Sequence, residues 1–184
     1  MVNFALPAVA AVVLAQLTGA SPVVTTRSDA VEVFSFGKWI DGIIANPEGD
    51  NLTPDEAVEA WHASLENTSV APTGENLLVK RYYCNTIPNT EAYVPDAVAC
   101  INDLARRGGE ACRVDGSRVF CVIGRAQITG VVGGGVSSST SSCNDVARGA
   151  GFVMDHCTRA DNTVQGAEFA YGNGNLLVWI RRPS

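Results

Sequence analysis

The chain has 184 residues and a net charge of −6, and its averages mix three unlike segments. The acidity sits in residues 21–81, where 10 Asp and Glu face 4 Lys and Arg, whereas residues 82–184 carry 9 acidic residues against 9 arginines and no lysine. A neutral, lysine-free segment offers neither the basic face that nucleic acid requires nor a polybasic patch for an anionic membrane, so neither is an expected partner.

Residues 2–20, VNFALPAVAAVVLAQLTGA, are almost entirely apolar and uncharged. The apolar run is shorter than the roughly 20 residues a membrane-spanning helix needs, and it ends in the small residues Thr18, Gly19 and Ala20. It reads as a signal peptide over residues 1–20. No other stretch is apolar enough to span a membrane, and a secreted, extracellular product is expected.

Residues 21–81 read as an acidic helical pro-segment ending in Lys80-Arg81. A dibasic pair is what kexin-type proteases of the secretory pathway cut after. Here it coincides with the change of charge and with the onset of cysteine, since all six cysteines lie downstream. Thr53-Pro54-Asp55-Glu56 is a helix start: Thr53 caps, Pro54 suits the first helical position and Glu56 completes a capping box. Ala57, Val58, Trp61 and Leu65 then share one face. Upstream, Phe36, Trp39, Ile40 and Ile43 make a similar stripe, broken by Gly37 and Gly42. These stripes want a partner, and two readings stand side by side: they dock on the mature domain as a folding aid or inhibitor and then leave, or the segment is a passive spacer. Asn51 and Asn67 begin glycosylation sequons in the same segment.

Residues 82–184 read as the mature domain. Cys84, Cys100, Cys112, Cys121, Cys143 and Cys157 form an even set with no zinc-site spacing, so a disulfide framework is expected and no metal or cofactor. Six cysteines allow fifteen pairings. Val98, Ile101, Leu104 and Ala105 mark one face of a helix from Pro95 to Arg107, ended by Gly108-Gly109. CRVDGSRVFC reads as a hairpin about Asp115-Gly116, which makes a Cys112–Cys121 bridge one candidate pairing. A strand follows at 125–132, then a flexible loop from Gly133 to Ser142. A second helix runs from about Asn144 to His156, with Val146, Ala147, Ala150, Val153 and Met154 inward. The turn at 172–175 introduces a buried last strand, Leu176–Ile180, and residues 82–87 are a candidate first strand. The expected class is α+β: two helices on one face of a small, mostly antiparallel, disulfide-stapled sheet, preceded by the helical pro-segment.

The runs CINDLARRGGEAC, FC, SSCNDVARGAGFVMDHC and AYGNGNLLVWIRR resemble small cysteine-rich secreted proteins of filamentous fungi, the effectors and killer-toxin-like proteins of α/β-sandwich type. The resemblance covers residues 84–182. It implies secretion, a kexin-processed pro-segment and action on a host or competing microbe by binding a protein or cell-wall target. The domain departs from killer toxins in being neutral and in having six cysteines. The other readings are a small secreted hydrolase of ribonuclease type, and a secreted inhibitor or cell-wall-associated protein. For the hydrolase, His156 is the single histidine of the domain, with Glu91, Glu110 and Glu168 as companions that no spacing selects. No nucleophile-elbow, zinc-protease or phosphate-loop motif is present. Tyr82, Tyr83, Tyr93 and Tyr171 are candidate contact residues, and Trp179 is a candidate for the buried face of the last strand.

Overall fold

The computed structural model describes residues 33–67 and 82–184. The expected signal peptide and the Lys80-Arg81 pair lie outside the described residues. The elements in chain order are α1 (Phe36–Ala45), α2 (Pro54–Asn67), β1 (Tyr83–Cys84), β2 (Ala92–Tyr93), α3 (Val94–Arg106), β3 (Ala111–Asp115) and β4 (Ser117–Ile123). They continue with β5 (Ala126–Val132), β6 (Ser138–Ser142), α4 (Cys143–Cys157), β7 (Thr163–Val164), β8 (Gly166–Phe169) and β9 (Leu176–Arg181).

The main sheet is five-stranded in the order β1-β8-β9-β5-β4, and every pairing in it is antiparallel. Helices α3 and α4 pack on one face, α3 against β4 and β5, α4 against β8 and β9. Both inward stripes read from the sequence are buried. Gly108, at φ +64°, ends α3 by turning the chain left-handed, a conformation only glycine takes cheaply. Ser142 caps α4, its Oγ accepting the Asp145 N–H at 3.1 Å.

A third layer lies on the helices. α1 packs on α4 and α3, and α2 packs on α3. Phe36, Trp39, Ile40, Ile43, Ala57, Val58 and Trp61 are buried in the same core as α3, α4 and the sheet. The capping box of α2 is formed: the Glu56 N–H donates to Thr53 Oγ1 at 3.3 Å, and the Thr53 N–H returns to Glu56 Oε2 at 2.8 Å. The Thr53 backbone bond, then its hydroxyl, hold the Glu56 carboxyl below its usual range. That contribution to α2 is therefore complete above the ordinary carboxylate range and is lost as pH falls through the lowered value.

Several expectations are corrected. Residues 112–121 do not form a hairpin: β3 pairs with β6, with Cys112 opposite Ser141, while β4 pairs with β5. The chain still turns at Gly116, φ +87°, but its two arms enter different sheets. The bridges are Cys84–Cys157, Cys100–Cys121 and Cys112–Cys143, so the candidate Cys112–Cys121 pairing is not made. Part of the expected loop, Ser138–Ser142, is strand β6. The candidate first strand is only Tyr83–Cys84. Leu65 is exposed rather than part of the buried stripe. On β9, Leu176, Val178 and Ile180 face the core, which places Trp179 on the opposite face, half-buried beside Leu177.

Candidate docking face on helices α3 and α4

α4 divides its residues between two neighbours. A Cβ on Gly149 would lie 2.8 Å from the Phe169 carbonyl oxygen, so that side meets β8. Gly151 points the other way: its Cβ would lie 3.2 Å from Gly37 Cα and 3.5 Å from Ile40 Cγ1. Glycines in a helix interior cost roughly 1 kcal/mol each against alanine. Here they let backbone approach backbone on both sides of one helix.

Asp155 lies one turn past Gly151 and takes the start of α1. Its carboxylate accepts the Phe36 N–H at 2.6 Å, the Gly37 N–H at 3.1 Å and the Ser35 hydroxyl at 2.8 Å. Ser35 itself caps α1, accepting the Lys38 N–H at 3.2 Å. A helix N-terminus carries unpaired N–H groups and partial positive charge, and a carboxylate answers both. Arg148, two turns back along α4, donates to Asp41 at 2.8 Å and to Asp145 at 3.1 Å. Asp41 first, with help from Asp145, holds the guanidinium proton more firmly than usual. Since 35–37 meet 155 and 41 meets 148, α1 and α4 run antiparallel. At the far end, Arg106 of α3 donates to the Pro47 carbonyl at 2.8 Å. Beside the seam lies an open cleft of about 460 Å³, lined by Gly37, Asp41, Arg148, Phe152, Asp155 and Tyr171.

Replacing Asp155 by Ala is expected to cost the uncut chain about 1–3 kcal/mol, because it leaves α1 donors without their acceptor. Asp155→Asn, which keeps one acceptor oxygen, should lose less. Urea unfolding of the three proteins checks the order.

The other residues singled out in the sequence do not converge. His156 stacks on Phe152 at 3.9 Å and lies 4.8 Å from Tyr82, with Nδ1 2.8 Å from the Phe152 carbonyl oxygen of its own helix. No carboxylate or guanidinium pairs with its ring among the described residues. Glu91 pairs with Arg159 at 3.4 Å, and Glu168 accepts the N–H of Phe169 at 2.7 Å. The Glu110 carbonyl accepts from the Cys143 N–H at 2.9 Å. Tyr93 lies under the Arg125 guanidinium at 4.0 Å, and Tyr171 beside Arg148 at 5.4 Å, on the cleft. Tyr83 is exposed on β1. Asn51 donates its amide to the Asn46 carbonyl at 2.8 Å, and Asn67 ends α2. Among the described residues no cluster could hold a metal ion, and no helix is long and apolar enough to cross a membrane. Asp155, Arg148 and the Gly37–Gly151 contact were not picked out from the sequence. The signal was there in two glycines, 149 and 151, kept inside an otherwise regular helix.

Fold and face together define a small α+β domain stapled by three disulfides, with a helical layer that no disulfide ties to it. The chain belongs to the family described as Domain of unknown function (DUF8794), whose model matches residues 79–182, more than half of its length. The match begins one residue before Lys80 and leaves α1 and α2 outside. No curated protein and no solved structure matches the chain.

Proposed function

We propose that the chain is a secreted precursor whose 82–184 domain acts by binding a target of a host or competing microbe, in the manner of fungal cysteine-rich effectors. Residues 21–81 serve as the pro-segment, cut after Arg81 by a kexin-type protease. The observation that carries this reading is the cover itself. α1 and α2 bury their apolar stripes on α3 and α4, yet all six cysteines pair within the domain and none reaches the cover. The family match, which begins at residue 79, one residue before the dibasic pair, and leaves α1 and α2 outside, supports the division. Three disulfides suit the oxidising secretory route. A binding role is preferred to hydrolysis because the domain's one histidine is held in an aromatic stack, and among the described residues no carboxylate pairs with its ring.

The test is the mass of the protein secreted from a eukaryotic host, taken under denaturing conditions before and after reduction. The expected species is Tyr82–Ser184, gaining six hydrogens on reduction. A species beginning near Ser21 would refute the division. Saturable turnover of RNA, chitin or peptide by the cut protein would refute a purely binding role.

A further inference from the structure

We propose that the α3–α4 face is a helix-docking groove, and that the partner it takes is an amphipathic α-helix lying antiparallel to α4 with its N-terminus at Asp155. This rests on the reading of the domain as a target-binding protein and names the kind of target.

The argument comes from what α1 shows the groove to recognise. Asp155 accepts three donors from consecutive residues 35–37, two of them backbone N–H groups. Adjacent N–H groups pointing the same way are what a helix start offers and what a strand, whose N–H groups alternate, does not. Gly151 lets the docked backbone come within 3.2 Å of where its Cβ would stand, and a Cβ on Gly37 would lie 3.0 Å from Asp155 Oδ2, so the crossing favours a small residue on the incoming helix. Arg148 then takes an acid four residues further on, as it takes Asp41 at 2.8 Å. Phe36, Trp39, Ile40 and Ile43 supply apolar anchors at i, i+3, i+4 and i+7, the pattern of helix-in-groove recognition. Charge complementarity therefore runs along the groove: acceptor at Asp155, donor at Arg148, apolar contacts between. Because no disulfide crosses the seam, a cut after Arg81 leaves α1 and α2 held by these contacts alone, and exchangeable.

The experiment uses the full chain cut in vitro after Arg81 by a dibasic-specific protease. The probe is a fluorescent peptide of residues 33–67 of this chain. Saturable uptake, displaced by unlabelled peptide and not by a scrambled peptide of the same composition, is expected. Arg148→Glu should weaken uptake about tenfold, and a peptide carrying Asp41→Arg should restore it. Asp155→Ala should weaken uptake by a similar factor. Gly151→Leu should block it, while the charge swap decides the matter if that variant fails to fold. Equal binding of the scrambled peptide, no uptake at all, or no rescue by the charge swap would overturn the groove. A secreted species beginning near Ser21 would overturn the pro-segment reading and leave this exchange result standing. The correct mature mass without exchange would do the reverse.

Discussion

Trp39→Ala is expected to destabilise the uncut chain by about 3–5 kcal/mol, the cost of truncating a large aromatic in a packed core. Trp39 belongs to the segment ahead of the dibasic pair, where a spacer would tolerate the change. Yet its ring is 8% exposed and belongs to the same core cluster as α3, α4 and the sheet. Its indole N–H also donates to the Leu52 carbonyl at 3.0 Å, which fixes α1 against the link to α2. Trp39→Phe keeps most of the volume and loses that bond, so a cost of about 1–2 kcal/mol is expected. Urea unfolding followed by far-ultraviolet circular dichroism measures both. A cost below about 0.5 kcal/mol for Trp39→Ala, the usual range for a surface change, would mean that α1 is not part of the folded core.

The second large effect concerns the bridge that would hold the end created by the proposed cut. Cys84 lies three residues after Arg81 and is bonded to Cys157, the last residue of α4, across 73 residues of sequence. Cross-linking a loop of that length removes unfolded-state entropy worth about 4 kcal/mol on the chain-entropy account. Cys100–Cys121 and Cys112–Cys143 close shorter loops, of 21 and 31 residues. Replacing both Cys84 and Cys157 by Ser is therefore expected to cost the cut protein about 4 kcal/mol, more than removing either other bridge. Thermal unfolding of the three paired variants gives the order. If the Cys84–Cys157 pair proves the cheapest to lose, loop length is not what sets the stabilisation.

Much of the fold was legible because several elements carry one strong local signal. The stripes of α3 and α4 repeat at helical spacing, and the Thr53–Glu56 capping box closes as the residue types require. The last strand was visible in LLVWI, but not its facing, because both sides of that run are apolar and parity alone cannot choose between them. Strand β6 was hidden because SSTSS has no apolar alternation; its partnership with β3 comes from tertiary context. The hairpin expectation failed for a related reason. Asp115-Gly116 does turn the chain, but each arm finds a better partner elsewhere. Cysteines carried by the helices, Cys100 and Cys143, then take the two sulfurs that a hairpin would have joined.

The docking face was the least legible part. Gly37 and Gly42 made α1 look like a weak helix when its propensity was weighed alone. In the folded chain Gly37 is where α1 meets its neighbour. A Cβ there would lie 3.0 Å from Asp155 Oδ2. A residue that costs helix propensity thus permits the contact that anchors the helix. Asp155 and Arg148 had no visible role because the residues of α1 that they hold lie more than a hundred positions away in sequence. No local pattern encodes such a pairing.

The most direct test is native-state hydrogen exchange on the uncut chain, read amide by amide across α1, α4 and β5. If α1 and α2 complete the core, the amides of Ile40 and Ile43 exchange with nearly the same free energy of opening as those in the middle of α4 and β5. If the α1 amides instead exchange as freely as an unfolded peptide while β5 stays protected, the N-terminal helices do not cover the domain.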